Sequence, residues 1–269
     1  MSVAKPLPHD AAALHVTGKA RYVDDIPTPS GTLHLAFGTS PIACGTLNKI
    51  SLDAVRAAPG VIDVLIAADL PFENDVSPSA HDEPLLALDT VAYVGQPICL
   101  IVATSHGAVR AAAQLAKYDI TEGTAIFSIE DALAADSRFE DGPRVYGCGD
   151  VGGALKSSAK SVTGTLHLGG QEHFYLEGQA ALALPSEEGD VLVHSSTQHP
   201  TEIQHKVAHA IGKPMHAVRV ETRRMGGGFG GKESQGNALA VACAIACLLA
   251  SIAGPLLGAH RLHTLLFTR

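Results

Sequence analysis

The segment Gly226-Gly-Gly-Phe-Gly-Gly231 constrains the fold of this chain more than any other stretch of its sequence. The alternating residues Val218–Thr222 ahead of it predict a strand, and the apolar run from about Ser234 predicts a helix. Glycine accepts positive φ angles and allows backbone to come close to a ligand, and a helix start exposes N–H donors. The segment therefore predicts a strand-to-helix loop that contacts a bound group through its backbone.

Two phosphate-binding patterns fit this loop incompletely. Gly226-x-Gly228-x-x-Gly231 satisfies the dinucleotide spacing, but residues 246–254, where an acidic residue should hold a ribose, contain none. Gly231-Lys232 nearly completes a P-loop, yet Glu233 stands where a Ser or Thr would ligate magnesium. A tightly packed turn without a ligand is the remaining alternative, although turns seldom need so many glycines.

Composition excludes several other classes of protein. The net charge is −8 and no basic cluster is present, so we expect neither nucleic-acid binding nor a polybasic membrane segment. The number of cysteines, 5, is odd and no pair has C-x-x-C spacing, which favours reduced thiols in a cytoplasmic protein without its own iron–sulfur or zinc site. Met1–Asp10 lacks the apolar core of a secretory signal. The uncharged run Ala238–Ala259 is interrupted by Gly254-Pro255, so we expect a buried helix rather than a membrane span.

Hydrophobic periodicity predicts alternating strands and helices upstream of the loop. Strands are predicted at 31–40, 61–66, 91–98, 99–103, 161–168, 179–184, 190–195 and 218–222. Helices are predicted at 51–60, 107–118, 150–156 and 200–211, and residues 121–148 are less periodic. Ser105 and Asp150 are predicted N-caps, and Pro200 is predicted in the first turn of its helix.

Five segments, in order, resemble the xanthine dehydrogenase family. Arg224–Glu233 resembles the family's molybdenum-cofactor loop, and Gly169-Gly-Gln-Glu-His-Phe-Tyr-Leu-Glu177 resembles its other cofactor segment. The others are Gly18-Lys-Ala-Arg-Tyr-Val-Asp-Asp25, Val94-Gly-Gln-Pro97 and Ser195-Ser-Thr-Gln198. Five ordered matches across roughly residues 14 to 246 are more specific than one glycine pattern.

The resemblance implies an α+β fold with two domains. A hammerhead-like α/β domain is expected at 14–122, a connector at 123–144, and an incomplete molybdenum-cofactor-binding domain at 145–269. It also implies a molybdenum–molybdopterin cofactor, with iron–sulfur clusters and FAD on partner subunits. The expected partners are therefore an iron–sulfur/FAD subunit and a purine substrate, with no nucleic acid and no membrane.

The resemblance also assigns roles to four residues. Gln171 is similar to the glutamine that hydrogen-bonds a molybdenum ligand, and an amide can donate there without adding charge. Phe229 and Gly230 are similar to loop residues whose backbone faces the metal centre and the pterin. Glu233 is similar to the carboxylate that binds and orients the purine. Aldehyde- and carbon-monoxide-oxidising relatives tend to have other residues after the glycine run, so the resemblance of Lys232-Glu233 implies a purine substrate. Gln171 could instead be a surface amide, and Glu233 a first-turn glutamate favoured by the helix dipole.

Two histidines are considered as a pair of metal ligands. His205 and His209 have i, i+4 spacing, but the residues between them lack the glutamate of a zincin, so a solvated helix face is expected. His173 is expected to be structural.

The resemblance ends near residue 246, and the tail to Arg269 departs from the family pattern. The tail is similar to a frameshifted or mis-assembled end, and the family's catalytic glutamate would lie beyond it, so no general base is assigned. The expected function is hydroxylation of hypoxanthine and xanthine to urate within a multi-subunit xanthine dehydrogenase. The alternatives are a truncated, non-catalytic fragment and a related molybdenum hydroxylase acting on aldehydes or N-heterocycles.

Overall fold

A computed structural model describes residues 3–139, 142, 144–253 and 265–268. The chain forms two compact units, a larger one from the residues up to Gly123 together with those from His173 onward, and a smaller one at Thr124–Glu172. Helices and strands are mixed along the chain, which confirms the predicted α+β class. The domain boundaries inferred from the sequence stay a prediction.

The strands and helices have the following bounds. The strands are β1 (Leu33–Thr39), β2 (Gly45–Ser51), β3 (Val61–Ile66), β4 (Thr90–Val91), β5 (Pro97–Ala103), β6 (Lys117–Glu122), β7 (Ala180–Pro185), β8 (Val191–Ser195), β9 (Val218–Glu221) and β10 (Leu265–Thr268). The helices are α1 (Ala12–Val16), α2 (Asp53–Arg56), α3 (His106–Ala113), α4 (Ile129–Ala134), α5 (Val151–Ser157), α6 (Pro200–Ala210) and α7 (Asn237–Ala253). Short 3-10 helices lie at Val23–Asp25, Ala67–Asp69, Glu187–Gly189 and Met215–Ala217.

A seven-stranded sheet in the order β3-β5-β1-β10-β7-β8-β9 organises the larger unit. The first three strands come from the N-terminal half of the sequence, and β7 to β9 come from the segment around the glycine-rich loop. Strand β10 joins them, because it pairs parallel with β1 and antiparallel with β7. Residues from both predicted domains therefore share one sheet.

The apolar sequence of β5 explains its place inside this sheet. It pairs antiparallel with β1 on one edge and with β3 on the other. Its residues Ile98–Ala103 are all buried, as is expected of a continuous apolar strand covered on both faces. A smaller sheet in the order β4-β2-β6 lies in the same unit.

Helices α6 and α7 pack with strands β7 and β8 into the main hydrophobic core. Ile203 and Val207 on α6, and Val241 and Ile245 on α7, are all buried in this cluster. Burying side chains of this size contributes roughly 1.5–3 kcal/mol each. The core thereby fixes α7, whose N-terminal end follows the glycine-rich loop.

The predicted N-terminal signals of three helices are present. The Ser105 side chain accepts a hydrogen bond from the Ala108 amide at the start of α3, and Asp150 accepts one from Gly153 at the start of α5. Pro200 occupies the first turn of α6. Ser105 and Asp150 accept hydrogen bonds from amides that a helix start leaves without partners, and Pro200 has no amide hydrogen that would need a partner.

Several predictions of secondary structure were wrong. The predicted strand 91–98 is not continuous, because only Val91 and the residues from Pro97 onward lie in strands. The predicted strand 161–168 has no regular structure. The predicted helix 107–118 ends at Ala113, and the chain continues as β6. Lys117–Glu122 forms backbone hydrogen bonds with β2, and this pairing outweighs the local preference for helix. Helix α4, inside the segment predicted as a connector, was not predicted; its cap is Ser128, which accepts a hydrogen bond from Asp131 N.

Helix α7 is apolar along its described length, Asn237–Ala253. No helix among the described residues is long and apolar enough to cross a membrane. Residues Ala240–Cys247 are buried in the core, which explains why this segment of the sequence is so apolar. Residues 254–264 and 269, which include most of the tail considered aberrant and the end of the run to Ala259, lie outside the described residues.

Candidate functional site

The candidate site is built around the glycine-rich loop Gly226–Gly231, which lies between β9 and α7 as predicted. Gly227, Phe229 and Gly230 have φ angles of 104°, 53° and 94°. A positive φ is unusual for a bulky residue such as phenylalanine, so neighbouring contacts must hold it. The Phe229 side chain is 76% exposed, so the loop presents a ring and its adjoining backbone outward.

Close packing explains why side chains are excluded at two of the glycines. A Cβ atom on Gly226 would lie 2.5 Å from Cβ of Glu177. A Cβ atom on Gly228 would lie 2.5 Å from Oε1 of Gln198. Both distances are shorter than real Cβ atoms show, so the loop backbone packs directly against these two side chains.

Lys232, the residue after the loop, is fully buried and surrounded by acceptors. Its Nζ atom donates to Ser196 Oγ at 2.6 Å, and to the carbonyl oxygens of Glu177 at 2.8 Å and Gly178 at 3.3 Å. It also lies 3.1 Å from Glu177 Oε2 and 4.6 Å from the centre of the Tyr175 ring. Burying an ammonium group is costly unless it is paired, so these contacts make Lys232 a fixed anchor for the loop.

Glu177 connects the start of the loop to this anchor. Its Oε2 atom accepts from the Gly226 amide at 2.7 Å and from Ser196 Oγ at 2.9 Å, and its own amide donates to the Gly226 carbonyl at 3.2 Å. Its Oε1 atom is buried without a partner among the described residues. Burial, together with the negative charges of Glu177 and Asp25, raises the pKa of Asp24.

Gln198 holds the other end of the loop. Its Oε1 atom accepts from the Gly230 amide at 3.0 Å and from the Lys232 amide at 3.2 Å, and its backbone amide donates to the Lys232 carbonyl at 2.7 Å. Its Nε2 group has no acceptor among the residues that the structure describes. Ser195–Gln198 was recognisable in the sequence only as a matching segment, and this contact was not predicted.

Gln179 is a second residue that the sequence analysis missed. Its Nε2 group donates to the Gly231 carbonyl at 3.1 Å and to the Tyr175 hydroxyl at 3.0 Å. A polar residue at the start of an otherwise apolar strand segment was the available signal. The loop is thus held by side chains from the segment before β7 and the segment after β8.

Three consecutive backbone amides of the loop form no hydrogen bond with the described residues. The N–H groups of Gly227, Gly228 and Phe229 have no acceptor within the described part of the chain, whereas those of Gly226, Gly230, Gly231 and Lys232 are all bonded. Successive N–H groups in a turn with alternating φ signs form a concave donor site for an electronegative group. The loop therefore offers backbone donors to a ligand.

The predicted site residues fall in two units of the structure. Phe229 and Gly230 lie in the loop, and Glu233 follows it as an exposed residue that forms no ion pair or hydrogen bond within the described residues. Glu233 lies four residues before α7 begins at Asn237, so it is not in the first turn of that helix. Gln171 is exposed and belongs to the smaller unit.

The histidines considered as ligands lie on an exposed helix face. The rings of His205 and His209 are 4.3 Å apart, and His209 Nδ1 lies 3.1 Å from Glu73 Oε2. His173 contacts the loop, because a Cβ atom on Gly231 would lie 2.8 Å from its Nδ1 atom.

Two family descriptions match the chain. Residues 17–122 match the aldehyde oxidase and xanthine dehydrogenase a/b hammerhead domain, and residues 138–252 match the molybdopterin cofactor-binding domain. The second match includes the whole glycine-rich loop.

Curated relatives share more than a third of their aligned residues with the chain. A xanthine dehydrogenase of Oryza sativa subsp. japonica is 38% identical over 247 residues, which are 91% of this chain and 18% of the relative. A xanthine dehydrogenase of Emericella nidulans is 39% identical over 245 residues, 88% of this chain and 18% of the relative. The chain thus spans about a fifth of the length of these relatives.

Solved structures share the fold. Quinoline 2-oxidoreductase from Pseudomonas putida 86 has a TM-score of 0.79 at 24% identity, covering 100% of this chain and 35% of that one. Aldehyde oxidoreductase from Desulfovibrio gigas has a TM-score of 0.78 at 25% identity, covering 97% of this chain and 30% of that one.

Proposed function

Because the chain belongs to the xanthine dehydrogenase and aldehyde oxidase family, we propose that it forms part of the molybdopterin-binding portion of a purine hydroxylase. On this proposal the complete enzyme converts hypoxanthine and xanthine to urate. The observation that carries it is the anchored loop, which combines unpartnered backbone amides with an exposed ring at Phe229 and a carboxylate at Glu233.

The chemistry of the loop fits a molybdopterin. The amides of Gly227 to Phe229 supply donors without side-chain charge, and a Cβ atom on Gly230 would meet only His173 Nε2, at 3.7 Å, so that side is open. When bound, the cofactor supplies the molybdenum centre that performs oxidative hydroxylation. The role of this chain is to hold that group through the backbone around Phe229 and Gly230.

An amide donor beside the metal centre is part of the same proposal, with two candidates. Gln171 is the residue assigned from family resemblance. Gln198 is supported by its contacts, because loop amides already occupy its Oε1 atom while its Nε2 group is available to donate. A glutamine whose oxygen accepts from two backbone amides has a defined orientation.

Glu233 is the basis for choosing a purine. The Glu233 carboxylate has no partner in the described part of the chain, so it is available to accept hydrogen bonds from the N–H groups of a heterocycle and to orient it. By holding the heterocycle in the reactive orientation, it would lower the free energy of the transition state. An aldehyde offers no such N–H donors, so its oxidation would not depend on this carboxylate.

An aldehyde or another N-heterocycle is the second candidate substrate. The solved relatives named for aldehyde and quinoline oxidation share the fold, and fold alone does not select a substrate. A quinoline has a ring nitrogen but lacks the N–H groups of xanthine. Turnover of these three substrates therefore distinguishes the candidates.

Other segments are required for the complete reaction. Since the chain spans 18% of the length of its relatives, we place the general base, the other substrate contacts and the iron–sulfur and FAD groups outside it. As part of the same proposal, the enzyme is cytoplasmic.

The test is a hybrid enzyme. Residues 1–246 are joined to the remaining part of a related xanthine dehydrogenase, and molybdopterin content and turnover of xanthine, quinoline and an aldehyde are measured. We expect bound molybdopterin and a kcat/KM for xanthine at least about tenfold above those for the other two, as befits a specific charged contact. A hybrid that binds the cofactor but prefers the aldehyde would refute the purine assignment. A folded hybrid without molybdopterin would refute the role of the loop.

A further inference from the structure

A pocket in the larger unit is rich in positive charge. Its volume is about 340 Å³, and it is lined by seven residues between Leu14 and Pro27 together with His194, Glu221, Arg223 and Arg224. Four of its lining residues are cations, namely Lys19, Arg21, Arg223 and Arg224. The chain as a whole carries a net charge of −8, so this concentration of cations is local.

Nearby carboxylates do not neutralise these cations. Glu221, which lines the pocket, forms an ion pair with Arg219 and lies 3.7 Å from Nδ1 of His194. Asp25 accepts a hydrogen bond from the Tyr22 amide at 3.0 Å. Asp24 interacts electrostatically with Glu177 and Lys232, at the anchor of the glycine-rich loop.

Three of the four cationic side chains have no acceptor among the described residues. Lys19, Arg21 and Arg223 are exposed, and their charged groups have neither a hydrogen bond nor an ion pair within the described residues. Like charges that share a pocket repel one another, so this arrangement is stabilised when an anion binds.

Arg224 provides an independent indication of a ligand. One end of its guanidinium is fixed, because Nη1 donates to the Arg21 carbonyl at 2.6 Å. Its Nε atom is buried and has no partner within the described residues. Buried donors are normally satisfied, and a guanidinium binds tetrahedral oxyanions through adjacent N–H groups.

We propose that this pocket binds a phosphate-class oxyanion, with Arg21, Arg223, Arg224 and Lys19 as its ligands. Inorganic phosphate and an organic phosphate ester present the same group to these cations. Leu14 also lines the pocket and is available to contact the organic part of an ester. The proposal concerns residues other than Phe229, Gly230 and Glu233 and does not depend on the function proposed for them.

Calorimetric titration of the purified chain tests the site. Inorganic phosphate and glycerol 3-phosphate are titrated separately at constant ionic strength, set with potassium chloride so that general screening does not change. We expect saturable binding with one site per chain. Tighter binding of glycerol 3-phosphate would identify an organic phosphate, and equal or weaker binding would identify phosphate itself.

Variants that remove equal charge distinguish specific binding in the pocket from general electrostatic attraction of phosphate. In Arg21→Gln/Arg223→Gln the Kd is expected to rise at least about tenfold, because two charge-assisted contacts are lost. The control Lys49→Gln/Arg56→Gln removes the same charge from exposed residues outside the pocket and should change the Kd less than about twofold. If the first variant does not fold, Lys19→Gln replaces it, with an expected rise of about threefold. Non-saturable binding, or the same change in the pocket variant and the control, would overturn the proposal.

Discussion

The Nζ atom of Lys232 lies 3.1 Å from Oε2 of Glu177, and both side chains are buried, with exposures of 0% and 7%. The same carboxylate oxygen accepts the amide hydrogen bond of Gly226. One ion pair therefore connects the first residue of the glycine-rich loop to the residue that follows the loop.

Lys232→Met should destabilise the chain by about 3–5 kcal/mol, because it leaves the buried Glu177 carboxylate without its charge partner. Urea unfolding measures the loss. Lys49→Met, at an exposed position, should change the free energy of unfolding by less than about 0.5 kcal/mol. In the double variant Lys232→Met/Glu177→Gln the unpaired charge is absent, so the loss should be smaller than the sum of the two single losses. Additive losses would show that the pair is not coupled.

Gly227→Ala should cost about 1–3 kcal/mol, because the backbone there has a φ of 104° that alanine rarely adopts. The added Cβ atom would also lie 2.9 Å from Cβ of Tyr175. Thermal unfolding measures the change. Gly164→Ala is the control, since no atom lies within 4 Å of its Cβ position and its φ is not positive. Equal melting temperatures for the two variants would contradict the described loop geometry.

Gln198→Ala should loosen the loop without unfolding the chain. The amides of Gly230 and Lys232 lose their acceptor, and one such hydrogen bond contributes about 1 kcal/mol, so their hydrogen exchange should accelerate roughly five- to tenfold. Exchange at Val193, inside β8, serves as the internal control and should not change. Unaltered exchange at both loop amides would rule out Gln198 as their acceptor.

Asp75 should make the chain sensitive to acid. Burial by itself raises the pKa of Asp75, but hydrogen bonds with Lys206, Ser77 and His81 outweigh it and hold the pKa at about 2, below the ordinary 3.8. A lowered pKa stabilises the folded state above the unfolded value, and that stability, about 2 kcal/mol, is lost as the pH falls from about 4 toward 2.

Unfolding free energies at pH 5.5 and pH 2.5 test this dependence. The decrease should be smaller in Asp75→Asn than in the unaltered chain, because asparagine does not titrate. Asp82→Asn, at an exposed position, should retain the full decrease. An identical decrease in all three proteins would exclude Asp75 as the source.

Glu233→Gln in the hybrid enzyme should lower kcat/KM for xanthine by about 10²–10³-fold, equivalent to roughly 2–4 kcal/mol of transition-state stabilisation. Molybdenum content should not change, since Glu233 is proposed to bind the substrate rather than the metal. Glu187→Gln, another exposed glutamate, is the control for charge. Near-normal xanthine turnover with normal molybdenum content would remove Glu233 from the site.

Local signals in the sequence determined several parts of this protein. The glycines of Gly226–Gly231 specified a loop between a strand and a helix, because few other residues accept the positive φ angles found there. Ser105 and Asp150 specified helix starts, because each side chain bonds an amide only three residues away. Interactions over such short distances do not depend on the rest of the fold.

Tertiary structure alone decided the remaining features. Lys117–Glu122 forms a strand rather than the end of a helix because β2 offers it backbone partners from a distant part of the sequence. Lys232 is fully buried although lysine ordinarily favours water, because Glu177 and Ser196 supply its acceptors. Gln198 holds the loop from 32 residues away. Partners that are remote in sequence leave no local pattern, so only the folded chain shows which of them meet.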